Sequence, residues 1–259
     1  MPLPSETLCI FGDSHIGSAR RALDAGLVVL EGRRVEFWGA AGPLFRQIDI
    51  KDGVVRPEGK EAVEMVAQVN GHGRLTLAAE DFDSFLFYGA RLRMAEFMLP
   101  YLHFMRDPQR AVSQAVMQAA ARQFLRSCRA FRIARSFAAT GRTRVFFAPA
   151  PLMTLGVLDE TGPGQPMALY PRAVEATAAD RGVIWDLFDS LMAEAGITLI
   201  RQPEGTVVDG VFTDARFAIE GAQTSGDAGH KSAAFAALML SAFEEVAHRD
   251  ARRKPTISP

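Results

Sequence analysis

The sequence predicts an α/β fold: a central, mostly parallel sheet with helices on both of its faces. Three observations predict it. Strand-like and helix-like runs alternate along nearly the whole chain, which is how parallel βαβ units are built. Two of the strand-like runs, residues 84–88 and 144–148, are compact and apolar, as strands covered on both faces must be. The 259 residues, 48% hydrophobic and 23% charged, suffice for one large core without disulfide or metal staples. We therefore expect a single domain over residues 1–250, followed by a disordered basic tail over 251–259.

Taken in order, residues 7–11 form a short β-rich run that ends in Gly12-Asp13-Ser14. Residues 14–25 have helical character, closed by Gly26, and residues 34–38 read as a second strand before the turn Gly39-Ala40-Ala41-Gly42. Residues 47–55 predict a hairpin around Lys51-Asp52-Gly53, because Asp-Gly readily takes the positive φ that a tight turn needs. Residues 58–69 form a short helix that stops at Asn70-Gly71. After the strand at 84–88, residues 92–139 are helical with a break near Asp107-Pro108. The strand at 144–148 is capped by Pro149 and Pro151. Residues 155–171 are rich in Gly and Pro without a period, and form either a surface loop or a lid. Residues 172–195 are helical, 197–201 a strand and 230–247 the last helix.

Composition excludes several function classes. The net charge of -1 gives no overall field that would favour nucleic acid or an anionic membrane. The longest apolar run, 233–243, is too short to span a bilayer. Cys9 and Cys128 are far apart and predict free thiols rather than a disulfide. Residues 1–6 lack a basic segment followed by an apolar one, so the expected location is the cytoplasm. His72, His103 and His248 lack metal-ligand spacing, and neither a Walker loop nor Gly-x-Gly-x-x-Gly follows the first strand, so no metal and no cofactor are expected. Arg122, Arg126, Arg129, Arg132 and Arg135 predict a basic stripe on one helix, read as a solvated face or as a patch for an anionic ligand.

Two short words carry chemistry. Phe11-Gly12-Asp13-Ser14-His15 lies at a strand-to-helix turn, at the carboxyl end of a strand of an open sheet, where ligands bind. A hydroxyl there sits near free helix N–H groups that favour a developing negative charge. Asp227-Ala228-Gly229-His230 lies in the turn that enters the last helix. A serine nucleophile needs an imidazole to take its proton, and the imidazole needs a carboxylate to fix its tautomer. Each word alone also reads as a helix cap; together they give nucleophile, base and orienting carboxylate in the order Ser, Asp, His.

At these residues the sequence resembles the SGNH (GDSL-like) hydrolase family. The resemblance implies a flavodoxin-like three-layer α/β/α sandwich and assigns the nucleophile to Ser14 and the Asp–His pair to Asp227 and His230. The family's second block, a glycine whose N–H meets the oxyanion, falls on Gly42. Its third block, Gly-x-Asn, falls on Gly89-Ala90-Arg91, with arginine in the asparagine's place. Arg91 would donate to the oxyanion, hold an anionic substrate group, or point away. His15 stands where the family most often has leucine, and either contacts substrate or has no role. The expected activity is hydrolysis of an O-acyl ester of a small molecule or carbohydrate, the acyl group being acetyl. Two alternatives stay open: an O-acyltransferase with the same triad, and a non-catalytic module that binds an anionic ligand through Arg91 and the arginine stripe.

Overall fold

The structure, a computed structural model, describes residues 6–109, 112–158 and 166–253. In chain order its elements are β1 (Glu6–Gly12), α1 (Ile16–Asp24), β2 (Arg33–Gly39), β3 (Ile48–Lys51), β4 (Val54–Pro57), α2 (Lys60–Asn70), β5 (Ser84–Arg93), α3 (Met94–Arg106), α4 (Gln114–Ser127) and α5 (Arg129–Ala139). There follow β6 (Arg144–Ala150), α6 (Pro166–Leu169), α7 (Ala178–Ala193), β7 (Ile197–Leu199), β8 (Val207–Val208), β9 (Phe212–Thr213), α8 (Ala222–Ser225) and α9 (Ala233–Arg253).

The main sheet has five strands in the order β2-β1-β5-β6-β7, every neighbouring pair parallel. With the β3–β4 hairpin set aside, this is the flavodoxin-like 2-1-3-4-5 order. The chain steps outward one way from β1 to β2, then the other way from β5 to β7. The carboxyl ends of β1 and β5 therefore flank the switch point, where an open sheet leaves a crevice.

Side-chain alternation divides the core into two layers. Leu8, Ile10, Leu86, Tyr88 and Phe146 face one side with Phe235, Leu240 and Phe243 of α9, and α1 packs on α9. Cys9, Phe11, Phe85, Phe87, Val145 and Phe147 face the other, against α2, α5 and α7. There Phe11 stacks on Trp38 with centroids 5.5 Å apart, and Phe87 on Phe147 at 5.5 Å. The result is the three-layer α/β/α sandwich with a mostly parallel sheet that was expected.

Several boundaries differ from the sequence reading. The helical stretch over 92–139 breaks a second time at Cys128, so the arginine stripe spans two helices. Within it Arg122 pairs with Glu194 at 2.7 Å and Arg129 donates to the Ile48 carbonyl at 2.9 Å, while Arg126, Arg132 and Arg135 are exposed. Leu92 belongs to β5, because Gly89, Ala90 and Arg91 all take positive φ and open a bulge rather than a helix. The stretch over 172–195 begins as a 3-10 turn, and α7 starts only after Thr177. A capping box causes this: Asp180 N–H donates to Thr177 Oγ1 at 3.3 Å, and Thr177 N–H donates to Asp180 Oδ2 at 2.7 Å. α9 starts at Ala233 rather than at His230, because Lys231 is first bridged to Ala218. The loop expected over 155–171 carries α6; its residues 159–165 lie outside the described residues, as does the tail over 254–259. Cys9 is buried and Cys128 half-buried, both as free thiols. No described helix is long and apolar enough to cross a membrane.

Candidate active site

Ser14 lies in the turn between β1 and α1. The Asp13 carboxylate accepts the His15 N–H at 3.2 Å, so Asp13 caps the turn and the Ser14 hydroxyl stays free for another partner. That partner is His230. Ser14 Oγ lies 2.6 Å from His230 Nε2, although 216 positions separate them in the chain. The other ring nitrogen, Nδ1, lies 2.7 Å from Asp227 Oδ2. With the ring proton on Nδ1, His230 donates to Asp227 and offers its Nε2 lone pair to the serine hydroxyl.

The segment that carries Asp227 and His230 is fixed by its own backbone. Asp227 Oδ1 accepts the N–H groups of Gly229 at 3.1 Å and His230 at 3.0 Å. Burial alone would raise this carboxyl, but the hydrogen bonds from the His230 N–H and ring and from the Gly229 N–H outweigh it and hold it below the usual carboxylate range. Thr154 N–H donates to the Ala228 carbonyl at 2.9 Å and ties the segment to the end of β6. Underneath lies Lys231, which is buried; its Nζ donates to the carbonyls of Ala228 and Gly229, both at 2.8 Å. Burial pushes its pKa down to about 7, against the pull of Asp227. A neutral amine still has two hydrogens for these two carbonyls, so the clamp survives either protonation state.

His15 packs beside the relay, its ring centroid 4.9 Å from that of His230. Gly89 makes this possible: a Cβ there would come within 2.5 Å of the His15 ring, and its φ is +71°. Burial, reinforced by His230 and Lys231 and opposed by Asp13, holds the His15 pKa down to about 4. His15 is therefore neutral at neutral pH and adds no second positive charge against His230. The unfolded chain takes up this proton near pH 6.5 and the folded one only near pH 4. The unfolded state is therefore favoured as pH falls through that window, and stability declines with it. His15→Leu is expected to flatten the fall, read as a smaller drop in melting temperature between pH 6.5 and pH 4 than in the wild type.

Gly42 and Arg91 complete the rim. Gly42 opens a 3-10 turn after β2, and Arg91 Nη2 donates to its carbonyl, so the arginine joins the β5 bulge to this turn. Arg91 Nε is buried without a protein partner among the described residues. Ala90 and Arg91 hold φ of +42° and +59°, left-handed values that cost non-glycine residues about 1–3 kcal/mol each. This is stored strain at the place where the bulge faces Ser14. Ser14, His15, His230, Gly42 and Arg91 all line one cleft of about 740 Å³. Gly89 stands behind His15.

Sequence reasoning missed Lys231 and the cleft's far wall, while the cap reading of the first word falls on Asp13, which accepts the His15 N–H. Lys231 carries no signal of its own in the sequence, where the last helix is read as starting at His230 rather than at Ala233. The wall is assembled from α3, the segment after β6, Tyr170 and β9, and no local pattern announces such an assembly. Among the described residues no cluster of His, Cys, Asp and Glu is arranged to hold a metal ion.

No protein-family model matches the chain, and no curated protein matches it. Among solved structures it is similar to an extracellular lipase from Streptomyces rimosus, with a TM-score of 0.41 and 11% identity over 92% of this chain and 99% of that one. It is also similar to the periplasmic domain of a lipopolysaccharide acetyltransferase from Salmonella ser. Paratyphi A, with a TM-score of 0.40 and 10% identity over 93% of this chain and 83% of that one.

Proposed function

We propose that the protein is a serine esterase of the SGNH type, with Ser14 as nucleophile, His230 as general base and Asp227 as its orienting carboxylate. The observation that carries this reading is the continuous relay from Ser14 Oγ through the His230 ring to Asp227, with contacts of 2.6 and 2.7 Å. Such a relay is costly to assemble from residues so far apart in sequence, and a purely binding module has no use for it.

The steps follow from the atoms in place. Ser14 Oγ attacks the ester carbonyl carbon while its proton passes to His230 Nε2. Asp227 holds the resulting imidazolium. The carbonyl oxygen becomes an oxyanion, met by the backbone N–H groups of Ser14 and Gly42 with the Arg91 guanidinium beside them. The intermediate collapses, the C–O bond to the alcohol breaks, and His230 returns the proton to the leaving oxygen. Water, deprotonated by His230, then cleaves the acyl–Ser14 ester. Transfer to a second alcohol would use the same acyl-enzyme, and product analysis with and without that alcohol separates the two. The free thiols support a cytoplasmic setting.

Turnover of p-nitrophenyl esters tests the reading. Wild type is expected to hydrolyse them, and Ser14→Ala to fall to near the uncatalysed rate while keeping its circular dichroism spectrum. Equal rates in the two proteins would refute it.

A further inference from the structure

The cleft continues past Ser14 into a trough whose walls are almost wholly apolar. Leu99 of α3, Pro151 and Met153 after β6, Leu169 of α6 and Phe212 of β9 converge there, with Tyr170 as an amphipathic neighbour. Its charged groups stand at the reacting end and the rim: Asp13, His230, Arg91, and Arg93 paired with Glu96 at 3.0 Å. Leu169, 67% exposed, adds an apolar side chain to this wall beside Leu99, Met153 and Phe212. A sugar would need several hydrogen-bond partners along its length, and among the described residues the side chains of this wall offer one, the Tyr170 hydroxyl. A cleft of about 740 Å³ is of the size that encloses a whole organic ligand rather than an acetyl group.

Resting on the esterase reading above, we infer that the trough binds the acyl part of the substrate, and that this part is a medium-length aliphatic chain. The chemistry favours the acyl side. The acyl group is bonded to Ser14 Oγ from the first half-reaction until water releases it in the second, so a wall continuous with Ser14 holds it while water attacks. The alcohol leaves after the first half-reaction, with its oxygen at His230 Nε2 near the polar rim. This departs from the acetyl expectation drawn from sequence, which could not see a wall built from four separate segments.

Two isomeric esters, ethyl octanoate and octyl acetate, carry the same apolar surface on opposite sides of the reacting carbonyl. Each methylene buried is worth about fourfold. Ethyl octanoate is therefore expected to exceed both ethyl acetate and octyl acetate in kcat/KM by on the order of a hundredfold or more. Leu169→Ser and Met153→Ser are each expected to lower kcat/KM for ethyl octanoate by about tenfold, and by clearly less for ethyl acetate, whose acyl group is too short to reach along the wall. A flat profile, a preference for ethyl acetate, or a gain confined to octyl acetate would overturn the inference while leaving the esterase reading intact. If no ester is hydrolysed, the esterase reading fails, and calorimetric binding to Ser14→Ala protein still decides the trough. Tighter binding of ethyl octanoate than of its isomer would support it, and equally weak binding of both would overturn it.

Discussion

Replacing His230 by alanine is expected to lower kcat on the preferred ester by on the order of 10⁶, with little change in KM. Without the imidazole, the Ser14 proton has no acceptor and the leaving alcohol has no donor, so both half-reactions lose their proton carrier. Asp227→Asn is expected to lose less, about 10⁴. An asparagine amide facing Nδ1 favours the tautomer with its proton on Nε2, which turns the base away from Ser14. The comparison is made on purified proteins at one pH with circular dichroism as control. A loss below about tenfold in folded His230→Ala would remove it from the mechanism.

Gly39→Ala is expected to produce the largest loss of stability of any conservative change near the site. A Cβ at Gly39 would lie 1.8 Å from the Gly12 carbonyl oxygen, and its φ is +155°. Gly12 is its register partner in β1, so relief requires prising β1 and β2 apart beside Ser14. Backbone against backbone cannot relax by a rotamer change, and a cost above about 4 kcal/mol follows. Gly42→Ala makes the contrast. An added Cβ there meets nothing within 4 Å, and only the left-handed φ is strained, at about 1–2 kcal/mol. Urea unfolding of both variants reads the difference, with insolubility of Gly39→Ala counting as the expected outcome. Comparable midpoints would mean that β1 and β2 do not approach as described.

Much of the architecture was legible because local pattern and long-range packing agree. The apolar runs of β1, β5 and β6 are apolar on both faces because helices cover both, and Asp52-Gly53 turns the β3–β4 hairpin with Asp52 at φ +52°. Ser14, Asp227 and His230 could be named because each stands in a turn beside a helix start, and the structure brings them within hydrogen-bond reach. What stayed hidden depends on tertiary context. The three consecutive positive φ values at Gly89, Ala90 and Arg91 override the helical pattern that would otherwise begin near Leu92. Lys231 is ionisable yet buried, which no periodicity announces; two carbonyls of the adjoining turn make the burial tolerable. The Thr177-x-x-Asp180 box, by contrast, was present in the sequence and would have separated α7 from the 3-10 turn before it.

Covalent labelling with a fluorophosphonate, read by intact mass and peptide mapping, asks whether Ser14 is an activated nucleophile. The reagent needs an activated serine and mimics the tetrahedral intermediate, whatever the natural ester. One adduct per chain is expected, on Ser14, lost in Ser14→Ala and strongly slowed in His230→Ala. An unlabelled wild-type chain, or a label on another residue, would contradict it.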